Sequence, residues 1–140
     1  MRIPMLVFFG LLLPAQSIAC CGIAKTVERF VEAFNQRDVD QMLTLVATDL
    51  RWMNVTSDQL LVEASTQVEL REAMVAYFNS TPGARAEIRS IASSGRFVHT
   101  VEEAFWEVNG TLTSQCSMAV YEIAKGKVQN VWYFPAHECS

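Results

Sequence analysis

Residues 26–38 read TVERFVEAFNQRD, and this stretch decides the architecture of the chain. Val27, Phe30, Val31 and Phe34 recur at i, i+3, i+4 and i+7, the spacing of one face of an α-helix. The pattern breaks at Arg37-Asp38 and resumes with Val39, Met42, Leu43 and Val46, with Asp38 placed to cap a second helix. The two helices therefore form a hairpin. Beyond it, Arg51 to Thr56 alternates as a strand does, Ser57-Asp58 signals a turn, and a short strand is expected near Leu60 to Ala64. Thr66-Gln67-Val68-Glu69 matches a capping box, and Leu70, Ala73, Met74, Tyr77 and Phe78 give a third amphipathic helix, ended by Thr81-Pro82-Gly83.

From Ala84 onward the chain reads as strands. Four runs, Ala84 to Ala92, Arg96 to Val108, Thr111 to Ile123 and Lys127 to Phe134, are separated by Ser93-Ser94-Gly95, Asn109-Gly110 and Lys125-Gly126. Short turns between successive strands predict an antiparallel meander. Helices first and a sheet after them predict an α+β fold, with three N-terminal helices over one face of a curved antiparallel or mixed sheet.

The N-terminus has a separate character. Arg2, the apolar run from Ile3 to Leu13 and the small residues Ser17 and Ala19 before Cys20 have the form of a secretory signal peptide over residues 1–19. The apolar run is too short to cross a hydrocarbon core of about 30 Å as a helix. Residues 20–140 then form one domain, expected to be exported to the periplasm or secreted. A membrane enters only if Cys20 is lipidated, and Ser17 stands where bacterial lipoproteins usually carry Leu. In an oxidising compartment disulfides persist. Of the four cysteines, Cys20, Cys21, Cys116 and Cys139, the expected link joins Cys20 or Cys21 to Cys139, leaving Cys116 as a buried thiol. The formal charge of −4, without clustered Lys and Arg, excludes nucleic acid as a partner class.

V-E-R-F-V-E-A-F-N-Q-R-D in the first helix, L-T-L-V-A-T-D-L-R-W-M before the first strand, the third helix and the closing V-Y-E-I-A-K-G-K-V-Q-N-V-W-Y-F carry a resemblance. Over residues 24–136 the chain is similar to the nuclear transport factor 2-like superfamily, especially its SnoaL-like branch. The resemblance implies a cone-shaped fold whose helices cover the concave face of the sheet. It does not imply one function, because this superfamily holds isomerases, cyclases, hydrolases, dehydratases and non-enzymatic adaptors. Ketosteroid isomerases of this fold use a carboxylate base with a tyrosine and a protonated aspartate. Their positions fall on Phe30, Asn54 and Ala119, none of which can do that work.

Two-residue hairpins at Asn109-Gly110 and Lys125-Gly126 predict the register of the last three strands. Glu102 then lies opposite Ser117, and Ser117 opposite Phe134. One face carries Glu102, Trp106, Gln115, Ser117, Ala119, Tyr121, Asn130, Trp132 and Phe134, and the resemblance, through Ala119, makes it the concave one. A one-residue slip would exchange the faces. The other face carries His99, Val101, Glu103, Phe105, Cys116, Met118, Val131 and Tyr133, of which Val101, Phe105, Met118, Val131 and Tyr133 make an apolar surface suited to a homodimer, as family members often pair there.

The expected ligand site is thus aromatic, from Trp52, Trp106, Tyr121, Trp132 and Phe134, with Asn54, Gln115 and Ser117 as polar contacts and Glu102 as the candidate acid or base. These aromatics could equally fill the cone as core. Glu102 could equally sit at a wet rim or pair with an arginine such as Arg89. His99 and Glu103, four residues apart on one strand, are separated by about 13 Å and cannot share a metal ion. No metal or cofactor is expected. Two readings stay open: an exported binding protein for a small apolar or aromatic molecule, with or without dimerisation, and a lyase, isomerase or hydrolase using Glu102.

Overall fold

A computed structural model describes residues 17–140, with side chains from residue 22 onward. The expected leader, residues 1–19, therefore lies almost wholly outside the described residues, as do the side chains of Cys20 and Cys21.

Helices α1 (Ser17–Asn35) and α2 (Val39–Thr44) form the hairpin. Asp38 caps α2, its carboxylate accepting from the Gln41 N–H at 2.9 Å. The second helix is shorter than its apolar spacing predicts, because Val46 opens strand β1 (Val46–Val55) instead. Val46 pairs with Val128, whose N–H donates to the Leu45 carbonyl at 2.9 Å, and a β-branched side chain fits that pleated, buried place well. Strand β2 (Leu60–Ala64) leads into α3 (Gln67–Ser80). Thr66 caps α3, accepting from the Glu69 N–H at 3.2 Å, while the Glu69 carboxylate reaches one residue past the cap to the Ser65 N–H at 2.6 Å, a variant of the expected capping box.

The meander follows as β3 (Arg85–Ser94), β4 (Phe97–Val108), β5 (Thr111–Ala124) and β6 (Lys127–Tyr133). All strands join one six-stranded sheet in the order β2-β1-β6-β5-β4-β3. Every neighbouring pair is antiparallel except β1 with β6, so the sheet is mixed. Asn109 and Gly110 turn with φ of 51° and 77°, and Lys125 and Gly126 with 52° and 75°. Two consecutive positive φ values make the hairpin turn that matches strand twist, and glycine supplies the second at no steric cost.

The β4–β5 register is the expected one, unbroken from Val108 opposite Thr111 to Phe97 opposite Glu122. The β5–β6 register is not. It begins as expected with Ala124 opposite Lys127 and Ile123 opposite Val128, then slips so that Glu122 meets Asn130, Tyr121 meets Val131 and Ala119 meets Tyr133. Gln129 is the extra residue of a β-bulge. Its side-chain amide donates to the Asp49 carbonyl at 3.2 Å and to the Asp49 carboxylate at 3.1 Å. The cause is apolar: Val128 and Val131 are both 0 % exposed, and residues three apart reach the same face of a strand only through such a slip. Val131 and Tyr133 therefore face the helices, while Asn130, Trp132 and Phe134 face away, reversing the expectation for all five.

The core lies between the helices and the concave face. Val27, Phe30 and Ala33 of α1, Met42 of α2, and Leu70 and Phe78 of α3 pack against Leu50, Val98, Ala119, Tyr121, Val128 and Val131. Beyond β6 the chain stays beside β5 and extends the same ladder, the Phe134 N–H donating to the Met118 carbonyl and Cys116 and His137 exchanging backbone hydrogen bonds of 2.9 and 2.8 Å. This brings Cys139 over Cys116, and the two form a disulfide with a Cα separation of 5.1 Å. Cys116 is thus not a free thiol, and Cys139 does not link to Cys20 or Cys21. The pairing was hidden because Pro135 interrupts the strand pattern that keeps the tail beside β5.

Candidate functional site

Between α1, α3 and the concave face lies a cavity of about 440 Å³, a size usual for small-molecule sites. Its roof is Phe30, Val31 and Phe34 of α1 with Leu70, Ala73, Met74 and Tyr77 of α3. Its walls are Trp52, Asn54, Glu63 and Ala64 from β1 and β2, and Ala86, Ala104 and Ser117 from the meander. Glu102 and Tyr133 form the polar part of the floor. Three aromatic rings run along one side: Phe30 lies 5.5 Å from Trp52, which stacks on Tyr133 at 5.3 Å between centroids.

The floor is held by a cluster of oxygens. Glu102 Oε1 accepts from the hydroxyls of Thr100 and Tyr121, each at 2.7 Å, and Oε2 accepts from Tyr133 at 2.8 Å. The two tyrosine hydroxyls also touch each other at 2.7 Å. Glu102 is 6 % exposed, Thr100 1 % and Tyr121 0 %. A carboxylate this deep is tolerable only when its oxygens are satisfied, and here they are. Burial, followed by the charge of Glu102, pushes both Tyr121 and Tyr133 well above the ordinary tyrosine range, so both remain neutral phenols. At the mouth, Tyr77 is also raised by burial, with Arg37 opposing in part. Asn54 donates to the Glu63 carboxylate at 3.0 Å, tying β1 to β2 at the rim.

Of the residues expected in the site, Trp52, Asn54, Glu102 and Ser117 line the cavity. Tyr121 lies under the floor and reaches the site only through its hydroxyl. Trp106 and Gln115 share the concave side but stand beyond the cavity, Gln115 exposed. Trp132 and Phe134 are on the far face, exchanged by the Gln129 bulge for Tyr133, which sequence alternation had placed outside. The spacing of Val128, Val131 and Tyr133 is the signal that identifies it. At the positions where the isomerase catalytic residues would fall, Phe30 and Asn54 line the cavity, whereas Ala119 is buried in the core.

Arg89 pairs with Glu103, at 3.3 Å, and not with Glu102. Glu103 also accepts from Ser114 at 2.7 Å on the far face. Its carboxylate lies within 4.8 Å of the Cys116 and Cys139 sulfurs, but bonded sulfurs are not thiolate ligands. His99 is exposed on that same face.

The SnoaL-like domain model matches residues 27–133. A search of curated protein sequences finds no significant match. Among solved structures, an uncharacterized cystatin-fold protein from Novosphingobium aromaticivorans superposes with a TM-score of 0.70 at 20% identity, over 81% of this chain and 97% of that one. AclR, a putative hydroxylase from Streptomyces galilaeus, gives 0.67 at 15% identity, over 84% and 90%. An LEH-like epoxide hydrolase from M. tuberculosis gives 0.65 at 16% identity, over 83% and 84%. At these identities the superpositions speak for the fold alone. A family model spanning the hairpin, the third helix and the whole meander, on a mixed sheet wrapped around a helix-roofed cavity, makes this chain a member of the SnoaL-like domain family.

Proposed function

We propose that this chain is an exported binding protein that takes a small, largely apolar molecule into the cavity and holds its polar atom against Glu102 and Tyr133. The observation that carries this reading is the cavity itself, with aromatic and aliphatic walls converging on one ordered polar cluster. Apolar walls provide affinity, and a few fixed polar groups provide orientation. Solved neighbours described as a putative hydroxylase and an LEH-like epoxide hydrolase support a small-molecule role for the fold. The leader-like residues 1–19 support export, and a disulfide between Cys116 and Cys139 suits an oxidising compartment.

Binding is favoured over catalysis because Glu102 already accepts from three hydroxyls, which leaves little of it for proton transfer to a substrate. The catalytic reading rests on the same carboxylate facing the cavity, and predicts turnover that Glu102→Gln abolishes. The convex face supports a homodimer through Val101, Phe105, Met118, Trp132 and Phe134, the last two brought there by the bulge. Met118 is 40 % exposed there.

Ligand-observed NMR with a neutral naphthalene-sized probe tests the binding reading. Saturable binding is expected in the wild type, lost when Ala104→Trp fills the cavity in a variant that keeps its circular dichroism. Equal signals from both proteins would refute the cavity as the site.

A further inference from the structure

Resting on that binding reading, we infer that the preferred ligand is a protonated amine on an apolar body, with its ammonium group seated on the Glu102 carboxylate and the Tyr133 hydroxyl oxygen, beside the aromatic wall.

The first support is a count of hydrogens. Thr100, Tyr121 and Tyr133 bring three hydroxyl hydrogens to the floor, and four O···O contacts of 2.7–2.8 Å compete for them. None is left to point into the cavity. Glu102 and Tyr133 therefore offer a ligand lone pairs and no donor. At that floor a carbonyl or a carboxylate would meet only acceptors, whereas an N–H group would meet partners.

The second support is charge. Among the described residues, two carboxylates, Glu102 and Glu63, line the cavity, and no lysine or arginine does. Elsewhere on the sheet, the largely buried carboxylates Glu103 and Glu122 each have an arginine, Arg89 at 3.3 Å and Arg96 at 2.8 Å. Glu102 is at least as buried, and among the described residues no basic side chain pairs with it. A buried carboxylate surrounded only by neutral donors gains most from a cation.

The third support is the aromatic wall. Phe30, Trp52 and Tyr133 stand side by side with centroid spacings of 5.5 and 5.3 Å, and Tyr133 ends that row at the carboxylate. An electron-rich aromatic wall favours a nearby cation over an anion. The same wall accepts the apolar body of the ligand, so charge and bulk are recognised by adjoining surfaces.

Four ligands with one naphthalene body test this: 2-methylnaphthalene, 2-naphthalenemethanol, 2-naphthylmethylammonium and 2-naphthoate, titrated at neutral pH by calorimetry and ligand-observed NMR. The ammonium is expected to bind at least tenfold more tightly than the methyl and alcohol analogues, with the carboxylate weakest. Glu102→Gln is expected to abolish the preference for the ammonium over 2-methylnaphthalene. An alcohol equal to the ammonium, a carboxylate bound more tightly than the neutral analogue, or a preference that survives Glu102→Gln would overturn the inference. Those results leave the cavity's binding role standing, whereas failure of all four to bind removes that role and the inference with it. Should Glu102→Gln not fold, the order of the four ligands on the wild type still decides.

Discussion

Replacing Tyr121 by Phe removes one oxygen from the middle of the protein and nothing else. That hydroxyl sits 2.7 Å from Glu102 Oε1 and 2.7 Å from the Tyr133 hydroxyl, on a side chain with 0 % exposure. Water cannot take its place without opening the core. A hydrogen bond to a charged acceptor is worth about 1.5–3 kcal/mol, and the void left by an oxygen atom adds little, so the expected loss is about 2–3 kcal/mol. For a domain of this length each kcal/mol lowers the melting temperature by roughly 4 °C, which predicts a fall of about 8–12 °C. Urea denaturation followed by circular dichroism measures the free energy directly, and its slope should not change. The double variant with Glu102→Gln should cost clearly less than the sum of the two single changes, because both act on one cluster. A Tyr121→Phe protein within about 0.5 kcal/mol of wild type, or strict additivity, would show that these oxygens do not act together.

Three further outcomes follow from the same geometry. The Cys116–Cys139 bridge closes a loop with a sequence separation of 23, worth about 3 kcal/mol in the chain-entropy account, so Cys116→Ala with Cys139→Ala should melt roughly 10 °C lower; a non-reduced peptide map joining either cysteine to another partner would contradict the pairing. Tyr121 and Tyr133 titrate above 10.0 in the folded protein, so the stability they contribute is complete below that pH and is lost as pH rises toward their folded values. The slope is about −1.4 kcal/mol per pH unit for each, and Tyr121→Phe should flatten it; an alkaline slope unchanged in that variant would remove Tyr121 from the account. Met118→Lys with Trp132→Lys should convert a dimer to a folded monomer in sedimentation, and a wild type already monomeric at micromolar concentration would dispose of the convex-face interface.

Much of this molecule is legible in its local chemistry. Asp38 and Thr66 cap helices because their side chains reach donors three residues away, and Asn109-Gly110 sets the β4–β5 register because its turn admits one pairing. Glu102, Ser117, Trp52 and Asn54 could be placed on the cavity from strand alternation and family likeness. Alternation failed where a residue was added without a turn signal. Gln129 is neither glycine nor proline, and only the burial demand of Val128 and Val131 marks it. The disulfide was concealed for a related reason, since backbone pairing between Cys116 and His137 is a tertiary event that nothing near Pro135 announces. The helix side of the cavity, Phe34, Met74 and Tyr77, was readable as an apolar face but not as a roof, because periodicity does not distinguish a packed surface from one bordering a space.

The Gln129 bulge makes β6 a strand whose parity is set by length and not by composition. Removing that one residue would rotate the segment beyond it by half a pleat, so Tyr133 would leave the oxygen cluster as Trp132 and Phe134 entered the cone. Interior and exterior thus share one counter. Losing that one residue would exchange a phenol on the cavity floor for an indole that fills it, and would strip two large aromatics from the outer surface in the same event. In the proposed reading, ligand recognition and self-association would thus be linked through an insertion, a kind of change that comparison by residue substitution does not register.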